Sequence, residues 1–259
     1  MRSDMAKYRE QAQVLEQQEL APGIFSIWLQ TQNIAKEATA GQFVSVYCQD
    51  GSRLLPRPIS LCEVNTKDRT IRLVYRVVGG GTREFSGLRR KDTVDIVGPL
   101  GNGFPLGNQS ALLIGGGIGI PPLLELAKRL EGETTIVVGY RDNQLFLKEE
   151  LERCGRVIVA TEDGSEGIRG TVIDAICESG ITPQVIYSCG PTPMLRAVKQ
   201  FAAERQVDAW LSLEERMACG VGACLACVCR TTHVDEHSGV KNARICKEGP
   251  VFEAREVEL

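Results

Sequence analysis

The feature that most constrains this chain is a run of cysteines near its end, Cys219-Gly-Val-Gly-Ala-Cys224-Leu-Ala-Cys227, with Cys246 following after a polar insert. The spacing is C-x4-C-x2-C with a distant fourth cysteine, which is typical of plant-type ligation of a [2Fe-2S] cluster. The two glycines in the run allow the unusual backbone angles that a loop around a cluster needs. The sequence therefore predicts Cys219, Cys224, Cys227 and Cys246 as iron ligands.

A structural zinc site is the alternative, because it also uses four cysteines. Zinc sites usually take them as two C-x2-C pairs, whereas four residues separate the first two cysteines here. The spacing favours the cluster and leaves zinc open. Cys229, two residues after Cys227, is predicted to be a buried thiol on a short strand.

Length and composition limit the classes of protein that remain. The 259 residues can form two ordinary cores and a small additional lobe. A net charge of −3 and the lack of a basic run argue against nucleic-acid binding. No apolar segment reaches the roughly 18 residues that cross a membrane, and no signal peptide is recognised. We therefore expect a cytoplasmic protein whose ten cysteines are reduced or bind metal.

The hydrophobic pattern changes once along the chain. Residues 11–97 contain short alternating apolar runs between turn residues, which predict an antiparallel barrel or sandwich. After residue 99, continuous apolar runs alternate with helical segments, which predicts a parallel sheet covered by helices. The predicted division is a β-barrel domain at 1–105, an α/β domain at 106–211 and a cluster lobe at 212–259.

A glycine-rich turn lies between the first strand and the first helix of the predicted α/β domain. Its residues are Gly115, Gly116, Gly117, Ile118 and Gly119. Backbone N–H groups and the helix dipole form an anion site at such a turn, so we expect the pyrophosphate of a dinucleotide there. A tight turn without a ligand is the alternative.

The third strand of this domain ends at Glu162 and Asp163. Acidic groups at the carboxyl end of a parallel strand can accept hydrogen bonds from ribose hydroxyls and repel a 2′-phosphate. This placement favours NAD over NADP. The alternative is that the two acids solvate a loop.

The next strand ends in a second candidate ligand loop, which contains Cys189, Gly190, Pro191 and Met194. We expect Cys189 to face the ligand crevice and to pack beside a planar ring. A nucleophilic role lacks support, because the only histidines, His233 and His237, lie in the polar insert near the cluster cysteines.

Two motifs in the barrel domain also fit phosphate binding. An arginine that a proline follows, in Arg57-Pro-Ile-Ser60, can pair with a phosphate, and the glycines of Gly79-Gly-Gly-Thr82 can hold another. The alternatives are a common surface dipeptide and a β-bulge.

Taken in order, these motifs resemble the ferredoxin-NAD(P) reductases. The order is Arg57-Pro-Ile-Ser60, Tyr75-Arg-Val-Val-Gly79, the glycine-rich turn, Cys189-Gly-Pro191 and the four-cysteine lobe. Within that superfamily, residues 213–229 and 247–252 resemble the electron-transfer subunits of class B dihydroorotate dehydrogenases. The resemblance covers essentially the whole chain.

The resemblance implies three cofactors, namely FAD, NAD and a [2Fe-2S] cluster held by the four cysteines. It places Arg57, Pro58, Ile59 and Ser60 along the flavin and its phosphates, Val74, Tyr75 and Arg76 at the ribityl chain and ring, and Gly81 and Thr82 on the pyrophosphate. NAD is expected in the α/β domain, with its ring on the flavin and Cys189 nearby.

The resemblance also implies a function and a partner. A separate FMN-containing catalytic subunit oxidises dihydroorotate, and this chain passes the electrons to NAD⁺ in pyrimidine biosynthesis, within an expected two-plus-two heterotetramer. No residue of this chain is predicted to act as an acid or base on the substrate. The departure from the family pattern is the insert at 230–244.

Two alternative functions remain open at this point. One is a similar reductase subunit that serves a hydrogenase or a ferredoxin:NADP transhydrogenase. The other is a zinc-stabilised regulator that binds a nucleotide. Partner identity and NADP preference distinguish the first alternative, and metal analysis distinguishes the second.

Overall fold

Residues 8–100 form an antiparallel barrel. Its strands are β1 (Tyr8–Ala21), β2 (Ile24–Gln30), β3 (Phe43–Val46), β4 (Arg57–Asn65), β5 (Thr70–Arg76) and β6 (Thr93–Leu100), which close in the order β1-β2-β5-β4-β3-β6. The short helices α1 (Ile34–Glu37) and α2 (Gly80–Ser86) lie in the connections. The structure, a computed structural model, describes residues 6–235 and 239–259, so His237 lies outside the described residues.

The remaining elements follow in chain order. They are β7 (Ala111–Gly116), α3 (Pro121–Arg129), β8 (Thr134–Tyr140), α4 (Lys148–Glu152), β9 (Arg156–Thr161), β10 (Ile168–Arg169), α5 (Val172–Ser179), β11 (Val185–Cys189), α6 (Thr192–Arg205), β12 (Asp208–Ser212), β13 (Val228–Thr231), β14 (Asn242–Arg244), β15 (Val251–Glu253) and β16 (Val257–Glu258). A 3-10 turn (Gly117–Gly119) joins β7 to α3.

A seven-stranded sheet forms the centre of the second half, in the order β10-β9-β8-β7-β11-β12-β15. Its pairings are parallel except at one edge, where β15 runs antiparallel to β12. Strands β7 and β11 are buried along their whole length because helices cover the sheet. A three-stranded sheet, β14-β13-β16, supports the cluster lobe.

This architecture confirms the predicted fold class of barrel, α/β domain and C-terminal lobe. The chain returns from the lobe to add β15 to the α/β sheet, which the sequence did not indicate. The domain boundaries at 105 and 211 stay predictions. No helix in residues 6–235 or 239–259 is long and apolar enough to span a membrane.

Buried ion pairs join the barrel to the α/β domain. Arg72 on β5 has a side chain only 5% exposed, and its Nη1 lies 2.6 Å from Glu63 and 2.5 Å from Glu150 of α4. Its Nε donates to Ser26 Oγ at 2.8 Å. Lys128 of α3 pairs with Glu63 as well. Two ionic contacts therefore cross the boundary between the domains.

We predict that Arg72→Met lowers the free energy of unfolding by about 3 kcal/mol, since the variant breaks a largely buried ion pair and leaves Glu150 without its partner, while Glu63 keeps only Lys128. Urea unfolding of the purified protein measures this change. The control is Arg9→Met, which removes an exposed pair with Asp95 and should change stability by at most about 0.5 kcal/mol. Equal effects of the two variants would contradict a structural role for Arg72.

Candidate functional site

The cluster loop has the backbone geometry that its glycines suggested. Gly220 and Gly222 adopt φ of +68° and +87°, in the left-handed region that favours glycine. A Cβ on Gly222 would lie 2.8 Å from Lys247 Cδ, so the loop is also too tight there for a side chain. Leu225 adopts φ of +57°, which turns the chain between the second and third cysteines.

Backbone amides of the loop point at three of the four predicted ligand sulfurs. Val221 and Ala223 donate to Cys219 Sγ at 3.4 and 3.3 Å. Gly222 donates to Cys246 Sγ at 3.1 Å, and the amide of Cys246 donates to Cys227 Sγ at 3.4 Å. Such N–H···S bonds stabilise thiolates and tune the potential of a bound cluster.

Two of the predicted ligands, Cys219 and Cys246, have opposite pKa shifts. Burial raises the pKa of Cys219, but hydrogen bonds from backbone amides and from Cys224 outweigh it and lower the pKa to about 6. Burial, followed by the hydrogen bond with Cys227, raises the pKa of Cys246 to about 12. Cys219 therefore supplies a thiolate near neutral pH, whereas iron must displace a proton from Cys246.

Hydrogen bonds between side chains arrange the four predicted ligands in two pairs, Cys219 with Cys224 and Cys227 with Cys246. A [2Fe-2S] cluster takes four cysteine thiolates, two at each iron, so this arrangement fits the cluster.

Cys229 lies apart from these pairs. It is on β13, opposite Ala243, and packs against the apolar core of the lobe. Burial raises its pKa to about 11, so it stays a neutral thiol. This environment agrees with a structural role for the side chain.

The proposed flavin phosphate site contains an arginine held against a glycine. A Cβ on Gly81 would lie 2.3 Å from Arg57 Nε, so only glycine lets this guanidinium cross the start of α2. Arg53, which the sequence motifs did not single out, lies against Gly80 in the same way and pairs with Glu84 at 2.5 Å. The cationic cradle fits a diphosphate.

Thr82, which is predicted to lie on the pyrophosphate, also holds the glycine turn of this site. Its hydroxyl accepts from the amides of Val78 and Gly79 at 3.0 and 3.2 Å and donates to the Gly79 carbonyl. The hydroxyl therefore caps α2 and holds the glycine turn in place. Its effect on a ligand is through the backbone of that turn.

Strand β5 divides its predicted flavin residues between two faces. Val74 packs with core residues of the α/β domain, whereas Tyr75 lies in the barrel core. The Tyr75 hydroxyl donates to Gln17 at 3.1 Å, and burial raises the pKa of Tyr75. Only the backbone of Tyr75 is available to a ligand, because successive side chains on a strand alternate.

On β4, side chains of the Arg57-Pro-Ile-Ser60 motif likewise alternate between the two faces of the strand. Ile59 packs against the barrel core. Pro58 and Ser60 lie on the opposite, outward face, where they pair with Ser45 and Phe43 of β3. The outward pair is on the side where the barrel meets the cluster lobe.

The two predicted nicotinamide loops contact each other through their backbones. A Cβ on Gly119 would lie 2.4 Å from the carbonyl oxygen of Cys189, and one on Gly116 would lie 2.6 Å from Met194 Sδ. Gly190 is similarly covered by Met194. Close packing of the two loops therefore requires glycine at positions 116, 119 and 190. Gly117, at φ of +52°, is less crowded, and a Cβ there would have only Arg76 of the barrel nearby.

Cys189 differs from its predicted orientation. We expected it to face the ligand crevice, but the side chain is fully buried in the apolar core. Burial raises its pKa, so the thiol is neutral. Its carbonyl oxygen lies against Gly119 of the glycine-rich turn, and Pro191, two residues later, is the N-cap of α6.

The acidic pair at the end of β9 is exposed. Asp163 accepts from the amide and hydroxyl of Ser165 at 2.9 and 2.7 Å, and these hydrogen bonds lower its pKa. Glu162 donates its amide to the Tyr140 carbonyl at the neighbouring strand end. Both acids therefore lie at the carboxyl edge of the sheet, where ligands of such sheets bind.

Comparison with known proteins supports an iron-sulfur reductase. Residues 214–258 match the family described as the iron-sulfur cluster binding domain of dihydroorotate dehydrogenase B. The protein named dihydroorotate dehydrogenase B (NAD(+)), electron transfer subunit, of Geobacillus sp. (strain WCH70) is 42% identical, and the match covers 97% of this chain and 99% of that protein. A protein of the same name from Streptococcus thermophilus is 43% identical, with 94% and 96% covered.

Solved structures share the fold. The structure of an NADH-dependent reduced ferredoxin-NADP oxidoreductase has a TM-score of 0.86 and 30% identity, and the match covers 95% of this chain and 89% of that chain. A ferredoxin NADP+ reductase from Neisseria gonorrhoeae, with bound FAD and NADP, has a TM-score of 0.61 and 16% identity, with 76% and 91% covered. The second likeness concerns the fold alone.

We predict that Cys224→Ser loses most of the iron and acid-labile sulfide but keeps FAD, because the loop lies outside the barrel. Metal analysis and the visible spectrum of the purified protein test this. The control is Cys229→Ser, which changes a thiol of the same lobe outside the two pairs and should keep both cofactors. Full iron and sulfide in Cys224→Ser would exclude this cysteine as a ligand.

We predict that Glu162→Arg with Asp163→Ser raises the ratio of kcat/KM for NADPH over NADH about tenfold. One new charged hydrogen bond to the 2′-phosphate contributes about 1.5 kcal/mol. Steady-state reduction of a dye by each nucleotide measures the ratio. Glu131→Arg with Glu133→Ser makes the same charge change at the amino end of β8, on the opposite sheet edge, and should leave the ratio unchanged. If both double variants shift it equally, the acids do not line the ribose.

Proposed function

Because the chain belongs to the family of electron-transfer subunits of dihydroorotate dehydrogenase B, we propose that it accepts electrons from an FMN-containing subunit that oxidises dihydroorotate. The chain delivers them to NAD⁺, which places it in pyrimidine biosynthesis. A [2Fe-2S] cluster carries one electron, a flavin one or two, and a nicotinamide a hydride, so together they convert single-electron flow into hydride transfer.

The observation that carries this proposal is that the barrel contacts both the nicotinamide turn and the cluster loop. On one side, Arg76 Nη2 lies 3.8 Å from where a Cβ on Gly117 would be, at the nicotinamide turn. On another side, Ser45 of β3 contacts Gly220 of the cluster loop and pairs with Pro58 of the flavin motif. The proposed flavin strands therefore adjoin both the cluster loop and the nicotinamide turn. An electron relay through the flavin requires this proximity.

We assign the predicted residues to the three cofactors as follows. The cluster is held by Cys219, Cys224, Cys227 and Cys246; FAD lies against Arg57, Pro58, Ile59, Ser60, Val74, Tyr75, Arg76, Gly81 and Thr82; and NAD lies against Gly115, Gly116, Gly117, Ile118, Gly119, Glu162, Asp163, Cys189, Gly190, Pro191 and Met194. Tyr75 and Cys189 act through their backbones, because their side chains are buried in the cores.

The cluster loop also offers a surface for the catalytic subunit. The predicted ligand Cys224 is exposed, and next to it Val221 and Leu225 are 40% and 62% exposed. Apolar side chains around a redox centre favour docking of a protein partner there. We place the FMN-containing subunit on this face, within a two-plus-two heterotetramer.

We propose a cytoplasmic location. All ten cysteines of the chain lie among the described residues, and each is free of a disulfide. Free thiols in this number are typical of a reducing compartment.

A second candidate is a reductase subunit of a ferredoxin:NADP transhydrogenase or hydrogenase. The similarity to the NADH-dependent reduced ferredoxin-NADP oxidoreductase, at 30% identity, is the observation in its favour. The greater identity to dihydroorotate dehydrogenase subunits, at 42%, makes it the lesser candidate.

We predict that the isolated chain reduces artificial acceptors with NADH but does not oxidise dihydroorotate. Addition of an FMN-containing dihydroorotate dehydrogenase subunit should establish dihydroorotate-dependent reduction of NAD⁺, followed as NADH absorbance. Cys224→Ser should abolish this coupled activity and spare the reduction of dyes, because dyes can take electrons at the flavin.

Two other outcomes of this experiment would support different functions. Coupled activity that persists in the cluster-free variant would mean that the cluster lobe is structural. Coupling to a ferredoxin and NADP⁺, without coupling to dihydroorotate, would favour the second candidate.

A further inference from the structure

One arginine joins the two segments of the chain that carry the predicted cluster ligands. Arg244 is the last residue of β14 and lies two residues before Cys246. Its carbonyl accepts from the amides of Lys247 and Glu248 at 3.0 and 2.8 Å, which closes the turn around Cys246. Its guanidinium extends to the other segment, where Nη1 donates to the Gly222 carbonyl at 2.9 Å. The main chain and the side chain of one residue therefore hold both segments.

A carboxylate fixes the direction of this guanidinium. Glu248 accepts from Arg244 Nε at 3.0 Å and pairs with Nη2 as well, and the same carboxylate accepts from the Arg244 amide at 2.8 Å. The arginine side chain is only 24% exposed. A bidentate pair holds an arginine in one geometry and leaves its other nitrogen for another acceptor. That nitrogen is Nη1, which lies at the Gly222 carbonyl.

The contacted carbonyl belongs to a peptide group whose amide points at a ligand sulfur. This peptide group joins Gly222 to Ala223, and the Ala223 amide donates to Cys219 Sγ at 3.3 Å. A cation at the carbonyl oxygen strengthens the hydrogen bond that the N–H of the same group donates, because hydrogen bonds in a chain polarise one another. The charge of Arg244 therefore acts on the sulfur of Cys219 through a single peptide group.

The loop needs such an external contact because position 222 is a glycine. Gly222 adopts φ of +87°, and a Cβ there would lie 2.8 Å from Lys247 Cδ, so the residue cannot be replaced by one with a stiffer backbone. Its amide also donates to Cys246 Sγ at 3.1 Å. The hydrogen bond from Arg244 thus restrains the most permissive backbone of the loop at the point where two ligand sulfurs accept from neighbouring amides.

We propose that Arg244 is a positioning residue of the cluster site, which orients the peptide group between Gly222 and Ala223 toward Cys219 Sγ and raises the reduction potential of the bound cluster. The inference rests on the proposed function only for the presence of a [2Fe-2S] cluster. Reduction adds negative charge to a cluster, so N–H···S bonds and a nearby cation stabilise the reduced form. Arg244 thereby helps to set the energy at which the cluster passes its electron on.

The test is Arg244→Met in the protein with FAD and cluster bound, examined by redox titration and by electron paramagnetic resonance of the reduced cluster. Methionine keeps an apolar stem and removes the charge and the donors. We expect a more negative midpoint potential of the cluster and altered resonance signals, with an unchanged flavin potential. We also expect about tenfold weaker retention of iron against a chelator, as when a group that orients metal ligands is removed.

Two further variants control this experiment. Arg255→Met removes the same charge from the same lobe, but the guanidinium of Arg255 pairs with Glu253 and Asp208. It should leave the cluster potential, the resonance signals and iron retention unchanged. Arg244→Lys keeps the charge but replaces the planar fork by one nitrogen. It should shift the cluster potential in the same direction as Arg244→Met, by a smaller amount.

An unchanged cluster potential and unchanged resonance signals in Arg244→Met would overturn the proposal, as would an equal shift in Arg255→Met. Loss of the cluster from Arg244→Met with FAD retained would support it. If Arg244→Met does not fold, Arg244→Lys decides the question by the same two measurements. Failure of the proposed function is distinguishable, because it would appear in the unaltered protein as missing iron and sulfide or as missing coupled activity.

Discussion

Close backbone contact at glycines is the constraint on which the arrangement of the three parts depends. At the contact between the barrel and the lobe, a Cβ on Gly101 would lie 2.7 Å from the Gly249 carbonyl oxygen. Within the α/β domain, one on Gly119 would lie 2.4 Å from the Cys189 carbonyl oxygen. Any larger residue would push these segments apart. Electron carriers must be close to exchange electrons. Close packing at these glycines is therefore needed for function as well as for the fold.

Much of the fold could be predicted from the change of hydrophobic period, because burial on one face or on two leaves different patterns. Strand β2 nearly alternates between buried and partly exposed residues, whereas β7 and β11 are buried along their whole length. Strand β4 is harder to identify from the sequence, because it begins with an arginine and with Pro58, which lacks a backbone donor. The cysteine spacing likewise predicted the cluster loop, since C-x4-C-x2-C with a distant fourth cysteine is typical of [2Fe-2S] ligation.

The directions of individual side chains could not be predicted. Tyr75 and Cys189 follow motifs that border a ligand site, yet both side chains are buried in cores. A sequence motif indicates where the backbone runs. The side of the strand on which a side chain lies depends on the neighbouring strands and helices against which the strand packs. Arg53 and Ser45 carry no local signal at all, because their neighbours across the contacts, Gly80 and Gly220, are distant in the sequence.

The two interfaces of the barrel are held by different kinds of hydrogen bond. Toward the α/β domain, the buried Arg72 donates to Ser26, Glu63 and Glu150, so charged side chains hold the contact. Toward the cluster lobe, Asn102 donates its backbone amide to the Gly249 carbonyl at 2.5 Å and its side-chain amide to the carbonyls of Lys247 and Glu248 at 3.1 and 2.8 Å. Backbone carbonyls next to Cys246 therefore accept from the end of the barrel. The position of the fourth predicted ligand relative to the barrel is thus fixed by the path of the main chain, whereas the position of the α/β domain depends on charged side chains.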